Sequence, residues 1–203
     1  VAFLIEIKIK AMPLLSRLTK CVEALASRRI GRLLLTVWLS YGLPAAHETA
    51  RADDAALEYQ VKAAFIYNFI AFTQWPSHSD PVMNLCLYGE DYFGHEIDKL
   101  QNKAVGTRLI RVSRINNPEQ LDQCQAIFFT KSVNDNLTEL MRHLTGKPIL
   151  TLADSPSAVS KGIAINMSLV NEKVVFEINL GIARKTGLDI SSKLLQLAVK
   201  VHQ

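Results

Sequence analysis

Between residues 84 and 152 four short apolar runs, at 84–88, 108–112, 126–130 and 149–152, recur with helix-spaced segments at 92–100 and 133–144 set among them. Runs of that length read as strands, the first of them buried. Strands that alternate with helices are joined by crossovers, and crossovers build a largely parallel sheet covered by helices. Gly146, Lys147 and Pro148 stop the second helical segment just before the last of these strands. The expected fold class is therefore α/β, a single domain with a mostly parallel sheet.

The flanking segments change period. Upstream, Asp53 and Asp54 can cap a helix whose residues Leu57, Val61, Ala64, Phe65, Phe69 and Phe72 follow the 3.6-residue repeat, with Trp75-Pro76 ending it. Ile66, Tyr67 and Ile70 add apolar character on a second side, which suits either packing or self-association. Downstream, Ile163, Ile165, Met167 and Leu169 alternate with smaller or polar residues, and so do Val174, Phe176, Ile178 and Leu180. Period two on both sides of Asn171-Glu172 predicts a C-terminal antiparallel hairpin. A short helix at 181–186 and a terminal helix capped by Ser191, with Leu194, Leu195, Leu197, Ala198 and Val201 on one side, complete the expectation.

The net charge of +4 over 203 residues is unevenly placed. Eight of the 23 Lys and Arg, but only Glu6, Glu23 and Glu48 among the acids, precede Asp53, which leaves 15 bases against 16 acids in residues 53–203, a net charge of −1. A near-neutral domain lacks the attraction that drives binding to a phosphate backbone, so no nucleic-acid partner is expected. The basic part is a leader: Arg28, Arg29 and Arg32, an apolar run at 33–46, then Ala50-Arg51-Ala52. That order is the signature of a signal peptide cleaved after Ala52, with cleavage after Ala46 as the alternative. The run is shorter than the roughly 20 residues a spanning helix needs, so no membrane insertion is expected after cleavage. The expected division is residues 1–52 as a signal peptide with an upstream extension before Met12, and 53–203 as the domain.

Cys86 and Cys124 remain in the exported part, where a bridge is the default and two buried free thiols are the alternative. No histidine or cysteine spacing matches a metal motif. Gly89 and Gly94 have the outer spacing of a phosphate loop, but His95-Glu96 stands where lysine and a hydroxyl are needed. There is no nucleophile elbow, and Ser191-Ser192-Lys193 lacks the interval that sets lysine one turn from a serine. No catalytic residue, metal or cofactor is assigned, and a binding or regulatory role is expected instead of an enzyme.

The segment Val61-Lys62-Ala63-Ala64-Phe65-Ile66-Tyr67-Asn68-Phe69, closing on Trp75-Pro76, resembles the opening helix of the YfiR family of periplasmic proteins. Cys124-Gln125-Ala126-Ile127-Phe128-Phe129, Ile149-Leu150-Thr151-Leu152-Ala153-Asp154, Phe176-Glu177-Ile178-Asn179-Leu180 and Ile190-Ser191-Ser192-Lys193-Leu194-Leu195 follow in the family's order. The resemblance implies an α/β fold without catalysis, a Cys86–Cys124 bridge, and a homodimer. It also implies repression of a membrane-bound diguanylate cyclase by contact with that enzyme's periplasmic part, lowering cyclic di-GMP and biofilm formation. A second cysteine pair found nearer the C-terminus in the best-known member is absent here, and Lys161-Gly162 stands where many relatives carry Gly-Gly. On this reading Glu177, Asn179 and Arg184 are the expected polar contacts to the cyclase, with Ile165 and Ala183 as apolar neighbours. The alternative is a periplasmic small-molecule binder with its crevice at 89–93 and 153–155, where open α/β sheets hold ligands.

Overall fold

Helix α1, His47–Ala71, forms on an apolar repeat whose buried side is Tyr59, Ala63, Ile66, Phe69 and Ile70. The computed structural model describes residues 47–76 and 80–203, with side chains in α1 from Ala55 onward. Residues 1–46 of the expected signal segment 1–52, and His78, lie outside them, and α1 runs through the expected cleavage point after Ala52.

The chain continues through β1 (Thr73–Gln74), β2 (Val82–Tyr88), α2 (His95–Asp98), β3 (Ala104–Val105), β4 (Arg108–Ile115), β5 (Ala126–Phe129), α3 (Leu137–His143) and β6 (Leu150–Ala153). It ends through β7 (Ile165–Val170), β8 (Lys173–Asn179), α4 (Leu180–Lys185), β9 (Asp189–Ile190), α5 (Ser192–Leu195) and β10 (Lys200–His202), with 3₁₀ turns at Pro118–Gln123, Lys131–Asn136 and Val159–Lys161. Eight strands make one sheet in the order β10-β8-β7-β6-β5-β2-β4-β3. The pairs β4–β2, β2–β5, β5–β6 and β6–β7 are parallel, and β7–β8 is the antiparallel hairpin. The fold is thus the expected α/β domain: a mostly parallel sheet with helices and a C-terminal hairpin.

Both faces of the sheet are buried at β2, β5 and β6, which is why these strands read as largely apolar runs, whereas β4 leaves Leu109 and Arg111 exposed. Met83, Leu85 and Leu87 of β2, with Phe128 and Leu152, pack toward Ile66 and Phe69 of α1. Cys86, Tyr88, Ile127 and Phe129 face the opposite layer, with Leu137 and Leu140 of α3. On that side Cys86 is bridged to Cys124, their Cα atoms 6.0 Å apart, tying β2 to the segment that enters β5. Closing a loop with a sequence separation of 38 is worth about 4 kcal/mol in the chain-entropy picture.

The hairpin turn has Asn171 at φ 49° and Glu172 at φ 62°, with Val170 paired to Lys173. Two left-handed residues match the twist of the flanking strands, but only Asn adopts that conformation readily. The expected helices at 92–100 and 133–144 are shorter in the structure: α2 is one turn, and a 3₁₀ turn precedes α3. The terminal helix is likewise one turn, α5, capped where Ser191 Oγ accepts from Lys193 N at 3.4 Å. Beyond it the open edge of β8 captures the chain, Val199 N donating to Phe176 O at 2.9 Å, and β10 adds parallel to β8. The β-branched Val199 and Val201 suit that extended path better than a helix. Among the described residues no helix is long and apolar enough to cross a membrane.

Candidate functional site

At the carboxyl ends of the parallel strands the expected ligand crevice is packed with side chains. Gly89, at φ +106°, lets the loop after β2 close against β5, since a Cβ there would lie 2.4 Å from Thr130 Oγ1. Glu90 N then donates to Ser132 Oγ at 2.9 Å. The following loop lays Tyr92 and Phe93 on Tyr59 of α1, with ring centroids 5.8 and 4.9 Å away, and Lys131 Nζ sits 4.4 Å from the centre of the Tyr92 ring.

Beneath these rings lies a buried ion pair. Lys62 falls within the buried stripe of α1, and its Nζ reaches Asp154 Oδ2 at 2.6 Å and Glu58 Oε1 at 2.5 Å. Asp154 is the first residue after β6; its side chain is 1% exposed and that of Lys62 is 4%. Tyr59 OH donates to the same Asp154 oxygen at 2.9 Å. Burial, reinforced by the Asp154 charge, holds the Tyr59 phenol far above its usual range, so it stays a proton donor. Asp154 Oδ1 and Ser155 Oγ are buried without a hydrogen-bond partner among the described residues. The arrangement pins the middle of α1 to the end of β6.

From Asp154 a polar chain crosses the sheet to its edge. Ser155 N donates to Asn166 Oδ1 at 3.2 Å, and the buried Asn166 donates through Nδ2 to Glu177 Oε1 at 3.4 Å, its register partner on β8. Glu177 Oε2 meets His202 Nε2 of β10 at 2.7 Å. Glu177 is therefore half-buried and braces the edge strand. Asn179 Oδ1 accepts from Ile182 N at 2.9 Å and so caps α4. Ile165 and Ala183 are fully buried and touch the surface only through the residues they support. Arg184 is exposed at the end of α4 and makes no ion pair among the described residues. The five residues thus gather at one corner, where β7 and β8 meet α4, and Arg184 is the exposed one among them.

A second exposed feature joins the other end of the hairpin to α1. Leu57, Val61 and Phe65 on the helix and Leu169 and Val174 on the hairpin line an apolar groove of about 690 Å³, with Glu58, Glu172 and Lys173 beside it.

Lys62 and Asp154 carry no assigned role in the sequence expectations, although a lysine in phase with Tyr59, Ile66 and Phe69 signals a buried cation that needs a carboxylate. The roles of Asn166 and His202 had no such signal, because they depend on cross-strand register and on an edge strand read as helix. Among the described residues no three His, Cys, Asp or Glu side chains converge as a metal site.

Residues 59–199 match the YfiR/HmsC-like family, DUF4154. Among solved structures, a conserved domain protein from Vibrio cholerae O1 biovar eltor is similar at 7% identity and a TM-score of 0.47, covering 70% of this chain and 60% of that one. The ABC domain in complex with L-Trp from Streptococcus pneumonia is similar at 10% identity and a TM-score of 0.45, with coverage of 70% and 61%. This chain thus spans about three fifths of the length of each.

Proposed function

We propose that this chain, which belongs to the YfiR/HmsC-like family, is a periplasmic regulator that restrains a membrane-bound diguanylate cyclase by direct contact and not by a reaction of its own. The observation that carries this reading is the family match, which runs from Tyr59 in α1 to Val199 at the start of the closing strand. Two further features agree with an exported protein: the leader pattern before Asp53 and the Cys86–Cys124 bridge.

The contact would be made by the corner of β7, β8 and α4. Its backbone is held by the Asn179 cap and the Glu177–His202 pair, so Arg184 is presented from a fixed frame. Binding at a rigid surface costs little ordering entropy. Repression would then be a population shift, limited by the difference in affinity between the active and inactive states of the cyclase. We also propose a homodimer, with a second copy covering the apolar groove between α1 and the hairpin. Deleting the gene in its own bacterium should raise cyclic di-GMP and biofilm formation, and restoring it should reverse both. An unchanged level, with the native protein shown to be expressed, would refute the repressor reading.

A further inference from the structure

A separate pocket of about 380 Å³ lies by the amino end of β6, between α3, the turn at Gly162 and α4. Its apolar lining is aliphatic or thioether: Met141, Leu144, Ile149 and Ile182, with no aromatic ring. Every charged residue that lines it is basic, namely Arg142, Lys147, Lys161 and Lys185. That is unexpected in a domain whose residues 53–203 carry a net charge of −1.

Two of the four charges are answered outside the pocket. Arg142 pairs with Glu139, and Lys147 Nζ lies 2.5 Å from Asp122 Oδ1. The other two are not. Lys161 Nζ donates to Asn134 O and Oδ1, both at 2.8 Å, and these neutral oxygens fix the ammonium without cancelling its charge. Lys185 makes no ion pair among the described residues. Arg142 and Lys185 stand in the last turns of α3 and α4, and Lys161 closes the 3₁₀ turn at Val159–Lys161, so three of the four charges come from helix or turn ends that converge on one pocket. A pocket of this size with apolar walls and a few placed charges has the make-up of small-molecule sites. Flexible Met141, against which a Cβ at Gly162 would stand 3.4 Å away, can adapt its shape to an apolar chain.

We propose that this pocket binds a free single-chain aliphatic anion, its chain against Met141, Leu144, Ile149 and Ile182 and its head group met by Lys161 and Lys185. The test is calorimetric titration of the protein with decanoate below its micelle concentration, beside decylammonium and decanol of the same chain length, at low and at physiological salt. The expected result is saturable one-to-one binding of decanoate, weaker as salt rises, with decylammonium at least tenfold weaker. Lys185→Glu, an exposed change that leaves the fold intact, weakens decanoate about threefold to tenfold, because the head group loses an attraction and gains a repulsion. Ile182→Trp, which fills the pocket, abolishes binding. Equal binding of decylammonium, or decanoate affinity unmoved by Lys185→Glu, overturns the proposal. So does the absence of saturable decanoate binding to folded protein, including the case in which only phosphatidylglycerol vesicles are bound.

Discussion

Removing the Lys62 charge leaves the Asp154 carboxylate buried with Tyr59 OH as its remaining side-chain donor. Breaking a buried pair from one side typically costs about 3 to 5 kcal/mol, because the surviving charge has neither water nor a partner. The two partners are not equivalent here. Asp154→Asn leaves Lys62 with Glu58 at 2.5 Å, a carboxylate 22% exposed and still in place, so the cost falls to about 1 to 3 kcal/mol, the range of a lost buried hydrogen bond. Lys62→Met should therefore destabilise more than Asp154→Asn, and the double variant Lys62→Met with Asp154→Leu should recover most of the loss, since no charge is left buried. In a domain of about 150 residues, 3 to 5 kcal/mol corresponds to a fall in Tm of about 10 °C or more. Equilibrium urea unfolding of the three variants, disulfide intact, measures the ordering through midpoints at a common slope. A Lys62→Met cost below about 1 kcal/mol, or one smaller than that of Asp154→Asn, would refute the argument that this pair anchors α1.

Glu172→Gly should stabilise the protein by about 0.5 to 1 kcal/mol, because glycine accepts the left-handed turn position that glutamate occupies under strain; thermal or urea unfolding reads it. At the other end of the sheet Arg114 holds the Asp98 carboxyl below its ordinary value, chiefly by hydrogen bonding. A depressed carboxyl contributes stability that is present above the unfolded value, near 3.8, and is lost as pH falls through the lower folded value. Arg114→Ala should thus let Asp98 titrate at higher pH, as followed by carboxyl carbon NMR, and should remove that contribution. Val61→Glu, placed in the groove between α1 and the hairpin, should convert the proposed dimer to monomer by light scattering with the far-UV circular dichroism unchanged, because Val61 is exposed in the single chain, and the thermal midpoint should lose its dependence on protein concentration.

The central strands could be read from sequence because each is buried on both faces: the unbroken run Ala126-Ile127-Phe128-Phe129 has no other economical reading. The hairpin was equally clear, since alternation on both sides of Asn171-Glu172 fixes which face is buried. The closing segment misled because Leu194, Leu195, Leu197, Ala198 and Val201 satisfy a helical repeat, while the deciding fact is the open edge of β8, which local pattern does not encode. The same limit governs the candidate site. Lys62 declares its need for a carboxylate by its phase in α1, but that Asp154 supplies it follows only from bringing the end of β6 beside the helix. Glu177 and Asn179 look like an ordinary polar strand face until β10 and α4 are placed; then one braces the edge strand and the other caps a helix.

The account rests on periplasmic contact with a cyclase, and cyclic di-GMP in the deletion strain tests it most directly when three copies of the gene are returned. A copy with its leader should restore the low level. A copy lacking residues 1–52 should not, and neither should a leader-bearing Arg184→Glu copy whose urea midpoint matches the unaltered protein. Full restoration by the leaderless copy would contradict the periplasmic site of action, and full restoration by Arg184→Glu would remove the α4 corner from the contact.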